Sequence, residues 1–314
     1  MRGYSFIIHL VIKLPSGVEV KSLIEDLRIF CWEASDVLLY YSKILKDSDY
    51  KNNILKNDNT EDPVTIADLK VNEIIIQRIN SKYKDIDWEI LSEENVKLES
   101  KDFNNSADWI WVLDPLDGTK DFIQGTSNYA MHLALNYKQK PYIGIVLIPE
   151  KNELWISDGE KTWCERSDGS MFFPKLSKSK SLQEMVLVTS KNHRNQTLQN
   201  LIKSINFNRV IVMGSIGCKI ASIIRGESDI YICLSLPGKS SPKDWDFAAP
   251  ESVLRAAGGA ITNIDNQKLS YCNSSFQQKG IIVATNNYIT HSKICCEIKE
   301  IIKKYDLYPL SNFN

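Results

Sequence analysis

The sequence predicts an α/β protein whose first half is α+β and whose second half is α/β. Two observations lead to this prediction. In residues 18–160, two segments with helical periodicity precede a series of short, strand-like apolar runs. In residues 181–305, strand-like runs alternate with helical segments. We therefore expect two lobes, 18–160 and 181–305, joined by the polar segment 160–180.

The first lobe begins with a long amphipathic helix. Apolar residues recur at three- and four-residue steps over 20–46, which is typical of a helix with one buried face. A polar, Asn- and Asp-rich loop is expected at 51–62, and Pro63 opens a second helical pattern. Strands are then predicted at 88–91, 109–113, 129–137, 142–148 and 154–157.

The second lobe shows a change of pattern, because each strand-like run is followed by a helical one or by a turn. Strands are predicted at 185–189, 209–213, 229–233, 260–263 and 280–284. Helices are predicted at 195–205, 217–225, 247–257 and 289–304.

Composition excludes several classes of protein. The 314 residues are 43% hydrophobic and 25% charged, which is typical of a globular protein with a sizeable core. Lys and Arg number 38 and Asp and Glu number 39, so no overall basic field is available to hold a nucleic-acid polymer. The apolar run 6–14 is shorter than the roughly 20 residues of a membrane span, and we expect a short strand or an extension there.

The seven cysteines are widely spaced and include no C-x-x-C pair. This pattern argues against a zinc ribbon or a thioredoxin-like site. We expect free thiols, and therefore a protein of the reducing cytoplasm.

The densest chemical signal is the motif 114–119, Asp-Pro-Leu-Asp-Gly-Thr, directly after the strand predicted at 109–113. Two carboxylates at the end of a buried strand are costly unless a cation or hydrogen bonds compensate them. Gly118 permits a tight turn, and a short helix beginning at Thr119 would offer free N–H groups to a phosphate. A metal with a phosphate explains the motif. An ordinary Asp-Pro turn capped by Asp117 is the alternative.

Other acids strengthen the metal hypothesis. Glu93 and Glu94 follow a short strand, Asp246 precedes a helix rich in small residues, and Asp68 lies early in a helix. Taken singly, Asp246 is also a good helix N-cap, and Asp68 also complements a helix dipole. Together these acids supply hard oxygen ligands, which favour magnesium over zinc.

Three motifs in this order resemble the inositol monophosphatase superfamily of Mg2+-dependent, lithium-sensitive phosphatases. They are the Glu-Glu pair at 93–94, the motif 114–119, and Trp245-Asp246 with the later Ala257-Gly258-Gly259. The resemblance covers about 20–304 and implies a layered α-β-α-β-α sandwich. It also implies that 18–160 is a metal-binding catalytic lobe and that 181–305 sorts substrates and contributes Asp246.

Further features resemble the 3'(2'),5'-bisphosphate nucleotidase branch, which implies a role in sulfur assimilation. Lys120-Asp121-Phe122 matches a Lys-acid-Phe pattern, and Ser190 to His193 is similar to a Ser-x-x-His segment. The segments 214–219 and 235–246 resemble second-lobe loops of these enzymes. Cys233 stands where the inositol enzymes carry an acid that binds sugar hydroxyls.

The resemblance implies roles for individual residues and two or three Mg2+ ions per active site. Glu93, Asp114 and the backbone carbonyl of Leu116 would hold one ion, and Asp114, Asp117 and Asp246 a second. Thr119 and Asp68 would orient and deprotonate the attacking water. The expected substrate-binding residues are Gly118, Thr119, His193, Gly214, Ser215, Lys239 and Lys243.

The resulting expectation is an enzyme that hydrolyses 3'-phosphoadenosine 5'-phosphate to AMP and phosphate. An inositol or sugar phosphate phosphatase is one alternative, and a catalytically silent sensor of phosphorylated ligands is another. Lys239 and Lys243 would offset the second phosphate, unless they belong to a solvated loop. We expect a small phosphorylated metabolite as partner, no nucleic-acid polymer, no membrane, and a monomer or homodimer.

Overall fold

The structure is a computed structural model that describes residues 13–46, 64–98, 107–176, 178–191 and 194–309. The predicted loop at 51–62, Pro63, His193 and most of the apolar run 6–14 lie outside these ranges. Within the described ranges, no helix combines the length and the apolar character needed to cross a membrane.

The first part of the chain contains four helices and seven strands in its described residues. The helices are α1 (Val20–Leu45), α2 (Ile66–Lys82), α3 (Glu93–Leu98) and α4 (Thr119–Ile123). The strands are β1 (Glu89–Ser92), β2 (Trp109–Asp117), β3 (Ala130–Tyr137), β4 (Lys140–Ile148), β5 (Glu153–Ser157), β6 (Thr162–Glu165) and β7 (Met171–Phe172). A single 3-10 turn, Pro149–Lys151, joins β4 to β5.

These strands form one seven-stranded sheet in chain order, β1 to β7. β1 and β2 run parallel, and every later pair is antiparallel. Side chains alternate between the two faces, as the pleat requires. Trp111 and Leu113 pack with α1 and α2, whereas Ile110 and Val112 pack on the opposite face.

The predicted linker at 160–180 contributes to this sheet. β6 and β7 both lie within it, and Thr162, Cys164 and Glu165 of β6 are buried. The sequence hides these strands because two of the buried positions of β6, Thr162 and Glu165, are polar, so the apolar alternation that marks a strand is lost.

The second part of the chain contains four helices and five strands in its described residues. The strands are β8 (Val186–Ser190), β9 (Arg209–Met213), β10 (Ile230–Leu234), β11 (Ala260–Asn263) and β12 (Ile281–Thr285). The helices are α5 (Gln196–Ile205), α6 (Ile216–Ile224), α7 (Asp244–Ala256) and α8 (Tyr288–Lys304). The strand order is β11-β12-β10-β8-β9, with β8 parallel to both neighbours and β12 antiparallel to both of its own.

Three buried clusters define five layers. α1 and α2 cover one face of the first sheet, and α6 and α7 lie between the two sheets. α5 and α8 cover the far face of the second sheet. All nine residues of α6 are buried, as expected for a helix enclosed on every side. The predicted α-β-α-β-α sandwich is therefore confirmed.

Two element boundaries differ from the prediction, and both bear on the site. β2 continues through Asp117 instead of ending at residue 113. α7 begins at Asp244, so Asp246 lies in the first turn of the helix and is not its N-cap. Lys243 occupies the N-cap position.

Candidate active site

The two aspartates of the 114–119 motif lie at the end of β2, where the strand contains a bulge. Asp114 pairs with His132 of β3, whereas Asp117 pairs with Ala130, so three steps on β2 match two on β3. In a regular strand, residues three apart point to opposite faces, and one extra residue brings them to the same side. Asp114 also accepts a hydrogen bond from the backbone N–H of Leu116 at 3.0 Å, which fixes the bulge.

Gly118 allows the chain to turn directly from β2 into α4. Its φ of 89° lies in the left-handed region that favours glycine. A Cβ there would also lie 2.9 Å from the backbone oxygen of Asn128. Both constraints require glycine, and they place Thr119 at the first position of α4, next to the carboxylates.

Asp246 adds a third carboxylate from the other side of the site. Its Oδ2 accepts a hydrogen bond from the backbone N–H of Lys243 at 2.5 Å, which orients the side chain across the first turn of α7. Ligand oxygens of Asp114, Asp117 and Asp246 lie within 4.8 Å of one another. The carboxyl group of Glu93, at the start of α3, contacts that of Asp114.

The electrostatics of this cluster favour a cation. The pKa of Asp114 is raised well above its usual range by burial, and then by the charges of Glu93 and Asp117. Burial, followed by Asp117 and Glu93, raises the pKa of Asp246 in the same way. Every donor is a hard oxygen, and a divalent cation would relieve the mutual repulsion. The residues therefore fit Mg2+.

Asp68 and Thr119 are brought together although 51 residues separate them. The Thr119 hydroxyl lies 3.3 Å from Asp68 Oδ1 and 3.0 Å from the backbone oxygen of Leu116. Asp68 is held by Thr65, whose backbone N–H and hydroxyl both donate to Asp68 Oδ2 at 2.7 and 2.5 Å. Burial raises the pKa of Asp68 to about 7, although the Thr65 hydrogen bonds oppose the shift. A carboxylate with this pKa is suited to accept a proton near neutral pH.

The loop before α6 braces Asp117. The Ser215 hydroxyl donates to Asp117 Oδ2 at 2.6 Å, and the backbone N–H of Gly217 donates to the same oxygen at 3.1 Å. Gly214 packs so closely on Asp121 that a Cβ would lie 2.0 Å from its Oδ2. Ser215, expected to bind substrate, thus has its hydroxyl directed to a carboxylate.

The remaining predicted substrate residues are less closely tied to the cluster. Lys239 is exposed in the loop between β10 and α7, where its backbone N–H donates to the Leu236 carbonyl at 3.1 Å. Lys243 is half-buried at the start of α7, beside Asp246. Cys233 lies on β10, and burial raises the pKa of its thiol to about 11, so it is neutral. His193 lies outside the described residues.

Two buried residues beside the carboxylates were not singled out by the sequence. Lys219 of α6 is 1% exposed, donates from Nζ to the Gly214 carbonyl at 2.6 Å, and lies over the ring of Tyr231. Burial lowers its pKa, and the charge of Asp117 opposes the shift. His132 of β3 is completely buried. Two sequence features could have identified these residues: Lys219 is a basic residue inside an otherwise apolar helix, and His132 is a histidine inside an otherwise apolar strand.

Comparison with known proteins identifies sequence relatives. A family described as the inositol monophosphatase family matches residues 23–303. The 3'(2'),5'-bisphosphate nucleotidase CysQ of Buchnera aphidicola subsp. Acyrthosiphon pisum is 30% identical over 235 residues, which cover 74% of this chain and 82% of that protein. The Nus factor SuhB of Pasteurella multocida is 29% identical over 258 residues, or 78% and 83% of the two chains.

A solved structure shares the fold. The inositol monophosphatase II of Staphylococcus aureus MSSA476 superposes with a TM-score of 0.68, covering 93% of this chain and 99% of that one, at 21% sequence identity. The likeness therefore extends over both sheets and all five layers.

Proposed function

We propose, because this chain belongs to the inositol monophosphatase family, that it hydrolyses the 3'-phosphate of 3'-phosphoadenosine 5'-phosphate to give AMP and phosphate. Family members are metal-dependent phosphatases, so a phosphomonoesterase activity on a small phosphorylated substrate follows from membership. The choice of substrate and the roles of single residues are our proposal.

One observation carries the proposal: three carboxylates from β2 and α7 converge within 4.8 Å, beside the Thr119–Asp68 pair. Glu93, Asp114 and the Leu116 carbonyl would hold one Mg2+, and Asp114, Asp117 and Asp246 a second. Bound there, Mg2+ supplies positive charge to the phosphoryl oxygens and lowers the pKa of an attacking water.

The chain's own residues then handle the water and its proton. The Thr119 hydroxyl binds the water and Asp68 accepts its proton, for which a pKa of about 7 is well placed. The backbone N–H groups of Gly118 and Thr119 face the phosphoryl oxygens. Water attacks phosphorus directly, the bond from phosphorus to the 3'-oxygen breaks, and that oxygen takes a proton from solvent to become the 3'-hydroxyl of AMP, so no covalent phosphoenzyme is required.

The side chains around the site favour a bisphosphate nucleotide over an inositol phosphate as the substrate. Lys239 and Lys243 lie on the loop that leads into α7 and would offset a second phosphate. A site for inositol hydroxyls needs strong acceptors, and the neutral thiol of Cys233 is a weak one. We assign catalysis and most of the metal binding to 18–160, and substrate selection to 181–305, which also contributes Asp246 to the metal site.

An inositol or sugar phosphate remains the second candidate, since the matching family is described as that of the inositol monophosphatases and the nucleotidase relative is only slightly more similar than another relative. A catalytically silent sensor of phosphorylated ligands is disfavoured, because the whole set of acids and Thr119 is present. We place the protein in the cytoplasm, with lithium-sensitive activity and a role in sulfur assimilation.

Phosphate release tests the proposal. The full chain is assayed with Mg2+ on 3'-phosphoadenosine 5'-phosphate, inositol 1-phosphate and fructose 1,6-bisphosphate, with Asp114→Asn as the inactive control. We expect the highest kcat/KM for the adenosine bisphosphate. A higher value for inositol 1-phosphate would overturn the substrate assignment and leave the metal mechanism intact. Equal phosphate release by Asp114→Asn would overturn the mechanism.

A further inference from the structure

His132 lies beneath the carboxylates and touches both halves of the site. Its Nε2 is 3.2 Å from Asp117 Oδ2, and its Nδ1 is 3.3 Å from the backbone oxygen of Trp245. Asp114 Oδ2 is 4.0 Å from the same Nδ1. The ring is completely buried, and its hydrogen bond runs from Nδ1 to Trp245, whereas Nε2 lies against Asp117 without a hydrogen bond among the described residues.

The start of α6 leaves space for the imidazole ring of His132. A Cβ on Gly217 would lie 2.2 Å from His132 Nε2, so a larger residue at 217 would displace the imidazole. Gly217 also donates its backbone N–H to Asp117 Oδ2. The start of α6 therefore accommodates the imidazole and binds the carboxylate that the imidazole faces.

The contacts on Asp117 fall on one oxygen. Ser215, Gly217 and His132 all approach Oδ2, at 2.6, 3.1 and 3.2 Å. The hydrogen bonds from Ser215 and Gly217 fix the rotation of the carboxylate and leave Oδ1 available as a ligand, and the imidazole packs against Oδ2 and limits its movement. Groups that orient a ligand in this way typically change metal affinity by about 10- to 100-fold when they are removed.

The contact on Trp245 extends the effect to α7. Trp245 directly precedes Asp246, so an imidazole that touches its carbonyl and Asp117 together sets the spacing between β2 and the first turn of α7. Asp117 lies on a strand of the first sheet and Asp246 on a helix of the middle layer, and their separation decides whether both reach one cation.

We propose that His132 is a positioning residue that orients Asp117 and spaces it from Asp246, so that the two carboxylates bind the same cation. The inference rests on the cation site of the proposed function and is independent of which phosphate ester is the substrate. A role limited to filling the core would leave cation binding unchanged once the protein is folded.

The test is Mn2+ binding by the full chain without substrate, followed by the loss of the free-ion electron paramagnetic resonance signal. His132→Leu removes the hydrogen bond to Trp245 and the ring nitrogen that faces Asp117 at similar volume, and His132→Gln restores an amide near the Nε2 position. His291→Gln is the matched control, because His291 is also a buried histidine but is bound to Thr262 and Thr285, each at 2.8 Å. Thermal melting verifies that each variant is folded.

We expect His132→Leu to bind Mn2+ about 10- to 100-fold more weakly than the wild type, His132→Gln to recover most of that loss, and His291→Gln to bind as the wild type does. At saturating Mg2+, the KM for the phosphate ester should be unchanged in His132→Leu.

Unchanged Mn2+ affinity in folded His132→Leu would overturn the positioning role. If His132→Leu does not fold, unchanged affinity in His132→Asn overturns it equally, because asparagine is too short to bridge the two oxygens. A wild-type chain that takes up no Mn2+ would instead overturn the cation site itself, and with it the mechanism of the proposed function.

Discussion

Replacing Asp114 by asparagine should stabilise the metal-free protein while it abolishes the response to Mg2+. Asparagine keeps the shape of the side chain and still accepts the hydrogen bond from the Leu116 N–H. It removes one negative charge from a cluster whose ligand oxygens lie within 4.8 Å of one another. The same substitution removes the carboxylate that we assign to both cations.

The size of the expected stabilisation follows from the distance between the carboxylates. At an effective dielectric constant of about 20, two unit charges about 4.8 Å apart repel by about 3.5 kcal/mol. Asp114 faces two such charges, but proton uptake already relieves part of the repulsion, so we expect a gain of about 2–4 kcal/mol. An unfolding entropy of about 2.1 cal/mol/K per residue over 314 residues converts this gain to a rise in Tm of about 3–6 °C.

Thermal melting in EDTA and in excess Mg2+, at matched ionic strength and neutral pH, measures both effects. Mg2+ at about 100 times its Kd should stabilise the wild type by about 2.7 kcal/mol, or about 4 °C, and the variant much less. Asp229→Asn is the contrasting control. Asp229 is buried but paired with Lys180 at 2.9 Å, so its replacement should lower Tm.

Two results would refute the reasoning. If Asp114→Asn melts at or below the wild-type temperature in EDTA, the carboxylates do not repel one another in the folded chain. If Mg2+ raises the Tm of both proteins equally, Asp114 is not a ligand.

Three further predictions concern the water, the second phosphate and acid stability. Thr119→Val should lower kcat by about 10²- to 10⁴-fold and leave the Mn2+ affinity unchanged. Adding Asp68→Asn should lower kcat little further, because the two residues act as a unit. An unchanged kcat in Thr119→Val would exclude Thr119 from the mechanism. The double variant Lys239→Ala, Lys243→Ala should raise KM for the adenosine bisphosphate more than for inositol 1-phosphate, and high salt should reduce the difference. Equal increases in KM for both substrates would mean that these lysines serve the fold or the general field. Burial lowers the pKa of His291 to about 4, so the unfolded chain binds more protons below pH about 6.5. The contribution of His291 to the free energy of unfolding should therefore fall by about 3 kcal/mol between pH about 6.5 and about 4. Denaturant titrations of the wild type and His291→Gln at both pH values measure this contribution as a difference, because the buried carboxyls with raised pKa values, such as Asp68, are common to both proteins.

The order of layers and the acidic motifs could be predicted from the sequence because periodicity and motif spacing are local properties. The bulge in β2 could not, since it depends on the pairing of Asp114 and Asp117 with β3. The roles of Lys219 and His132 also depend on neighbours distant in the chain. In sequence, each is a single basic residue among apolar ones.

The strands in the predicted linker were missed for a different reason. β6 and β7 are short and lie at one margin of the sheet, where Thr162 and Glu165 are buried although they are polar and Met171 is exposed although it is apolar. Sequence polarity there does not follow exposure to water, so it says little about strand pairing.

The layer of α6 and α7 makes the two halves of the molecule interdependent for folding. A single buried cluster contains residues of both helices and of both sheets, among them Val146 of β4 and Tyr231 of β10. Separating the halves at the surface segment 166–170 would leave the first sheet with one uncovered apolar face and would expose the apolar side of α6 and α7 in the second fragment. We expect each fragment alone to be aggregation-prone, whereas co-expressed fragments reassemble by covering those faces. The cation site, with ligands from both fragments, reports whether that reassembly has taken place.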